Sequence, residues 1–161
     1  MKIAFKRPPD EIIGEKYLRR WWLFHRGTEK PDSGKVRAYL HHFVGSDDDR
    51  AVHDHPGWSI SFLLRGKLVE LMPYESEEIA GALPGTEVLR GRRIPWLRPV
   101  FRKATHTHRM LLASDSAWTI FIMGPKRREW GFLCWMRERG YLWKHWTEMT
   151  TADGRTTGGC E

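Results

Sequence analysis

Cysteine is scarce in this chain: Cys134, in an aromatic stretch, and Cys160, in a Gly/Thr-rich tail, are the two among 161 residues. Two thiols so placed supply neither a disulfide framework nor a cysteine-based zinc site, so any bound metal has to rest on histidine and carboxylate. No apolar run approaches the length that crosses a bilayer, and the basic start MKIAFKRPPDEIIGEKY lacks the apolar stretch of a secretory signal. The expectation is a cytoplasmic chain with no membrane partner. No Gly-rich phosphate loop precedes a helix, no GxSxG nucleophile elbow occurs, and no paired acids mark a glycosidase, which removes the usual sequence evidence for those enzymes. Acid is also missing from two local stretches, Pro56 to Leu64 and residues 90 to 109.

What is present is enough for one domain with one core: 40% hydrophobic and 12% aromatic residues. The net charge of +7 has a location, because residues 90 to 109 hold Arg90, Arg92, Arg93, Arg98, Arg102, Lys103 and Arg109. Those seven cations equal the whole excess, and the other 20 basic residues balance the 20 acidic ones. A balanced remainder argues against the spread basic footprint of a nucleic-acid binder.

Asp10, after Pro8 and Pro9, reads as an N-cap, and Ile13, Tyr17, Leu18, Trp21 and Trp22 recur at three- and four-residue spacing, so an amphipathic helix is expected over 11–23. A turn-rich link from Gly27 to Gly34 leads into a strand in which Val36, Ala38, Leu40, His42 and Val44 alternate with Arg37, Tyr39, His41 and Phe43. WSISFLLRGKLVELMPY reads as two strands joined in a tight hairpin at Arg65-Gly66-Lys67. Residues 75–86 read as a surface loop or short helix, and short strands are expected near 87–90, 94–102, 106–112, 117–123 and 129–136. Regular short strands favour an antiparallel sandwich or barrel. The tail TTADGRTTGGCE is too polar to order itself.

Four of the eight histidines form two HxH pairs, His53-Asp54-His55 and His106-Thr107-His108. Residues i and i+2 of a strand share a face, so two antiparallel strands can bring both pairs onto one ion while Asp54 and Thr107 point away. The plainer alternative is a set of solvated residues in a polar loop beside Asp47, Asp48 and Asp49.

HDHPGWSISFLLRG, with proline directly after the second histidine and a β-rich run closing on Gly66, resembles the first motif of the cupin superfamily. FRKATHTHRM followed by SAWTIFIMGP is similar to the second motif, without the proline and glycine usual ahead of its histidine. The resemblance covers roughly residues 35–125. It implies a mainly β, cupin-like antiparallel β-barrel (jelly roll) over 35–146, preceded by the helix and link of 1–34 and followed by the tail of 147–161. It also implies His53, His55 and His108 as metal ligands, with His106 as alternative or fourth. The glutamate that many cupins supply would fall near Ser59 and is absent, leaving an all-histidine site with open positions for Fe(II), the favoured metal, or for Mn, Ni, Cu or Zn.

A three-histidine site is similar to that of thiol dioxygenases among cupins, so metal-dependent oxidation of a small anionic molecule is the implied function. The alternatives are a non-enzymatic cupin binding a small ligand or nucleic acid, and an isomerase or lyase that needs no oxygen. The basic strand supplies Arg98, Arg102 and Arg109 as candidates to hold an anionic substrate, against the plainer role of charges protecting an edge strand. Tyr39 and His41 are read as packing residues, Cys134 as a buried thiol, and most tryptophans as core, with Trp143 and Trp146 left for an interface. Two copies could pair through edge strands, as barrels of this family often do.

Overall fold

A computed structural model describes residues 7–14, 17–24, 30–47, 51–74, 86–149 and 160. The elements in chain order are β1 (Glu11–Ile13), β2 (Leu18–Leu23), β3 (Arg37–Phe43), β4 (Val52–His53), β5 (Ser59–Arg65), β6 (Leu68–Pro73), β7 (Leu89–Arg93), β8 (Pro99–Arg102), β9 (Arg109–Leu112), β10 (Ala117–Met123), β11 (Gly131–Met136), β12 (Gly140–His145) and the one-turn helix α1 (Trp146–Met149). The chain is mainly β, and the named strands pair antiparallel. They fall into a six-stranded sheet of order β1-β2-β3-β10-β5-β8 and two three-stranded sheets, β12-β11-β4 and β7-β6-β9. Among the described residues these sheets do not close into the expected barrel.

The expected N-terminal helix is not there. Gly14 turns the chain at positive φ, and the segment forms the antiparallel pair β1 and β2, with β2 also laid on β3. A three-to-four spacing of large apolar residues suits a helix face, but it also suits a strand covered on both faces, and tertiary packing decides between them. Trp22 joins Tyr39, Phe121 and Met123 on one face, while Trp21 joins Leu40 and Trp118 on the other. Asp10 acts at the strand pair, its carboxylate accepting from the Trp22 amide at 2.8 Å.

The turn at Arg65-Gly66-Lys67 is real, but it is a corner between sheets and not a hairpin: β5 stays beside β10 and β8, while β6 pairs with β7 and β9. Gly66 has φ 85° and its backbone packs against Ser116 and Ala117 so closely that no Cβ fits. Only glycine combines that dihedral with that approach. The principal apolar cluster, Leu18, Phe43, Leu63, Leu68, Ile94, Val100, Met110 and Ala117, lies between the large sheet and the β6 sheet.

Cys134, expected as a free buried thiol, is disulfide-bonded to Cys160 beside Ala51, Phe132 and Met149. Spacing alone gave no geometric reason for the pair, because it depends on the tail returning to β11. Residues 150–159, and residues 75–85 of the loop or short helix expected over 75–86, lie outside the described residues. No helix among the described residues is long and apolar enough to cross a membrane.

Candidate metal centre

The two HxH segments meet as neighbouring backbones. His53 pairs with Phe132 of β11 on one side and, on the other, exchanges two 2.9 Å backbone hydrogen bonds with His108. Only His53 lies in a regular strand; His55 follows in a loop held by its amide to the Ala104 carbonyl at 3.0 Å. Alternation still holds across the triplet. Asp54 points away and is buried, accepting from the Gly131 amide at 2.8 Å, the Trp143 indole at 3.1 Å and Arg128. That anchor sets His53 and His55 on the opposite side, toward His108.

The three imidazoles form a compact group. Ring centroids lie 5.3 Å apart for His53 and His55, 5.3 Å for His53 and His108, and 5.1 Å for His55 and His108. Nε2 of His55 and Nε2 of His108 are 3.0 Å apart, and one donor atom from each of the three histidines lies within 4.8 Å of the others. Two nitrogens each about 2.1 Å from a shared ion sit about 3 Å apart when they subtend roughly a right angle, so the pair fits a divalent metal.

The other ring nitrogens meet carboxylates. His108 Nδ1 donates to Glu70 Oε1 at 2.5 Å, and His53 Nδ1 lies 3.3 Å from Asp47 Oδ2. Glu70 is fully buried, and it also receives His106 Nε2 at 3.1 Å, Arg102 Nε at 2.5 Å and Arg92 Nε at 3.1 Å. Burial alone would raise its pKa, but the hydrogen bonds from His106 and His108 and the Arg102 cation outweigh it and hold the carboxyl far below the usual range. An ionised carboxylate only accepts, so the His108 proton sits on Nδ1 and Nε2 presents a lone pair to the group.

Burial, reinforced by the neighbouring histidines and the Arg102 and Arg20 cations, pushes His55 well below its ordinary pKa. Burial likewise pushes His108 down to about 3, against the Glu70 hydrogen bond that works to raise it. Both imidazoles are neutral at pH 7, as metal ligation requires. Glu70, His106 and His108 form a second set of donor atoms within 4.8 Å. Its carboxylate is already matched by two arginines, which makes it the weaker cation site.

Of the arginines singled out in the sequence, Arg102 is buried beside this group, bonded to Glu70 and, through Nη1, to Ser61 Oγ at 2.7 Å. Arg98 is exposed ahead of β8, and Arg109, at the start of β9, faces Glu87 electrostatically. His41 is buried, stacked on Phe121 at 5.0 Å, and accepts from Arg20 Nε at 3.0 Å. Phe121 in turn lies 5.9 Å from His55, so β3 and β10 floor the imidazole group. Trp143 and Trp146 are engaged, one on Asp54 and the other stacked on Trp130.

Glu70 and Asp47 escaped the sequence reading. The available signal for Glu70 was its parity: it shares a strand face with Leu68 in LVELMP, an acid at an inward position.

No protein-family model and no curated protein matches the chain. Solved structures do. Peruvianin-I, a cysteine peptidase from Thevetia peruviana latex, has TM-score 0.52 and 10% identity, over 88% of this chain and 78% of that one. The DMSP lyase DddQ from Ruegeria pomeroyi has TM-score 0.48 and 17% identity, over 70% of this chain and 49% of that one, so the chain spans about half its length. A cupin superfamily protein from Desulfitobacterium hafniense has TM-score 0.46 and 11% identity, over 76% of this chain and 94% of that one. At 10% identity and TM-score 0.52 the likeness to Peruvianin-I is one of fold alone.

Proposed function

We propose that His53, His55 and His108 hold one divalent transition metal, Fe(II) before Mn, Ni, Cu or Zn, and that the chain carries out metal-dependent oxidation of a small anionic molecule. The observation that carries this reading is the convergence of three imidazoles in which the second nitrogens of His108 and His53 turn to Glu70 and Asp47. Such outer carboxylates fix ring orientation and raise ligand basicity. The metal would supply redox and Lewis-acid chemistry at its open positions.

The chain's residues do the rest. Glu70 keeps the His108 proton on Nδ1, and His106, bonded to the same carboxylate oxygen, supports Glu70 in preference to acting as a fourth ligand. Phe121 and the neutral His41 wall the group on the large-sheet side and keep water from it. Arg102 adds a buried cation beside it that favours anions.

The test is elemental analysis of untagged protein beside His53→Ala/His55→Ala. Near-stoichiometric metal in the parent and its loss in the double variant are expected. Oxygen uptake by the loaded parent then separates oxidation from lyase or isomerase chemistry. An absence of metal in the parent after anaerobic reconstitution would remove the reading.

A further inference from the structure

The large sheet ends at β8, and there the chain presents three large apolar side chains to solvent: Trp96 is 66% exposed, Leu97 50% and Phe101 60%. Phe101 pairs with Ile60, and the exposed Pro99 with Phe62, half-buried residues of β5 on the face opposite Ser59, Ser61 and Leu63. The patch therefore lies on the outer side of the sheet, away from the contacts of Ser61, Arg102 and Glu70 beside the imidazole group. Single exposed apolar residues are ordinary, whereas a contiguous set marks an interaction surface. This set is also held rigidly. The Leu97 amide donates to the Leu63 carbonyl at 2.9 Å, the Trp96 indole N–H donates to the Leu64 carbonyl at 3.0 Å, and Phe101 stacks on Trp58 at 6.4 Å. Leu97 sits at φ 55°, a left-handed conformation that leucine rarely adopts. Backbone strain of this kind persists only where surrounding contacts impose it, and it gathers at functional surfaces.

Charge decides what the patch meets. No acid occurs from Val88 to Ser114 or from Pro56 to Val69, so neither the patch nor β5 beneath it carries one. Arg65, Arg98 and Lys103 are exposed around it, and neither Arg98 nor Lys103 joins an ion pair among the described residues. These cations blunt an open edge strand, but that role leaves Trp96, Leu97 and Phe101 unexplained. A second copy would set the cations against themselves, and leucine and proline offer a nucleic-acid base no ring to stack on. Donors are scarce as well. Pro95 and Pro99 have no N–H, and the Leu97 amide and Trp96 indole are spent on β5. An unpaired donor is costly in hydrocarbon, and these four positions present none. Apolar side chains ringed by cations and poor in donors fit the interface of an anionic phospholipid bilayer.

We infer that Trp96, Leu97 and Phe101 enter the headgroup region of an anionic phospholipid bilayer while Arg65, Arg98 and Lys103 lie on its phosphates, so that the chain binds a membrane surface peripherally. The lack of a long apolar run, from which no membrane partner was expected, bears on crossing a bilayer and not on attachment to its face. No residue of the imidazole group takes part, so this attachment stands apart from the function proposed above.

The experiment is co-sedimentation of the full chain with vesicles of phosphatidylcholine alone and of an equimolar mixture with phosphatidylserine, at low and high salt. Partition onto the anionic vesicles is expected to be about tenfold stronger or more, and to weaken as salt rises. Arg98→Gln/Lys103→Gln should lower it about tenfold. Leu97→Asn should lower it by a similar factor through lost apolar burial. Asparagine tolerates the left-handed backbone, so this variant should keep or raise the melting temperature, which separates lost binding from lost folding. If the double variant does not fold, Leu97→Asn decides. Parental partition in Leu97→Asn, equal partition onto both vesicle types, or none onto either overturns the inference. A parent that sediments as a dimer and becomes a monomer in Leu97→Asn, or that binds a single-stranded oligonucleotide in place of vesicles, overturns it too.

Discussion

Glu70 is the residue on which the site's electrostatics turn. It gathers Arg102, Arg92, His106 and His108 around one carboxylate, and the Arg102 side chain is itself buried whereas Arg92 is half exposed. The Arg102 pair therefore carries most of the energy, and Arg92 adds little through solvent screening. Glu70→Gln keeps the volume but leaves Arg102 buried without a countercharge, a loss of about 3–5 kcal/mol in urea unfolding. The same change loosens the His108 tautomer and should cost about 10–100-fold in metal affinity by chelator competition. Parental stability and affinity in that variant would show that Glu70 does not hold His108. The histidines were legible because HxH spacing is local. Glu70 was not, because its partners lie 22 to 38 residues further along the chain and meet it only after three sheets have assembled.

At the scale of elements, pattern reading located strands well where β-branched and aromatic runs are bounded by turn residues. β3, β5 and β10 fall within the expected runs, and β5 shows strict alternation of buried and less buried residues. It misread residues 11–23, where apolar side chains cover both faces of β2. It also found the turn at Gly66 without finding its role, since a hairpin and a corner between sheets need the same local dihedral. The two roles differ in cost. Gly140 also has positive φ, but nothing lies within 4 Å of a Cβ placed there, so Gly140→Ala should cost about 1–2 kcal/mol of backbone strain alone. Gly66→Ala adds a collision with the Ser116 carbonyl and the Ala117 backbone, and its urea midpoint should fall well below that of Gly140→Ala. Equal midpoints would mean that the corner yields without cost.

For the molecule as a whole, burying neutral imidazoles ties stability to pH. His41, His55 and His108 all have folded pKa values pushed below the ordinary 6.5, His108 to about 3. The unfolded chain takes up protons on these groups as pH falls through 6.5 while the folded chain does not, so their contribution is intact above that value and is lost progressively below it. Each group can contribute up to about 1.4 kcal/mol per pH unit. Glu70, whose folded pKa is depressed, contributes stability above the ordinary carboxylate value near 4.5 and loses it only at more acid pH. Metal-stripped protein should therefore weaken markedly in urea between pH 7 and pH 5, before carboxylates titrate. A flat profile across that window would show that these imidazoles are not held neutral by the fold.

The sequence by itself determined that the chain is mainly β, that its two HxH pairs offer imidazoles as candidate metal ligands, and that its excess charge sits in one basic segment, because alternation, HxH spacing and composition act within a few residues. Only the tertiary structure decided that Glu70 stands behind His108, that Arg92 and Arg102 neutralise it, and that Cys134 meets Cys160. Contacts of that kind belong to no local period: they form where separate sheets come together, and burial then fixes which polar groups must be paired.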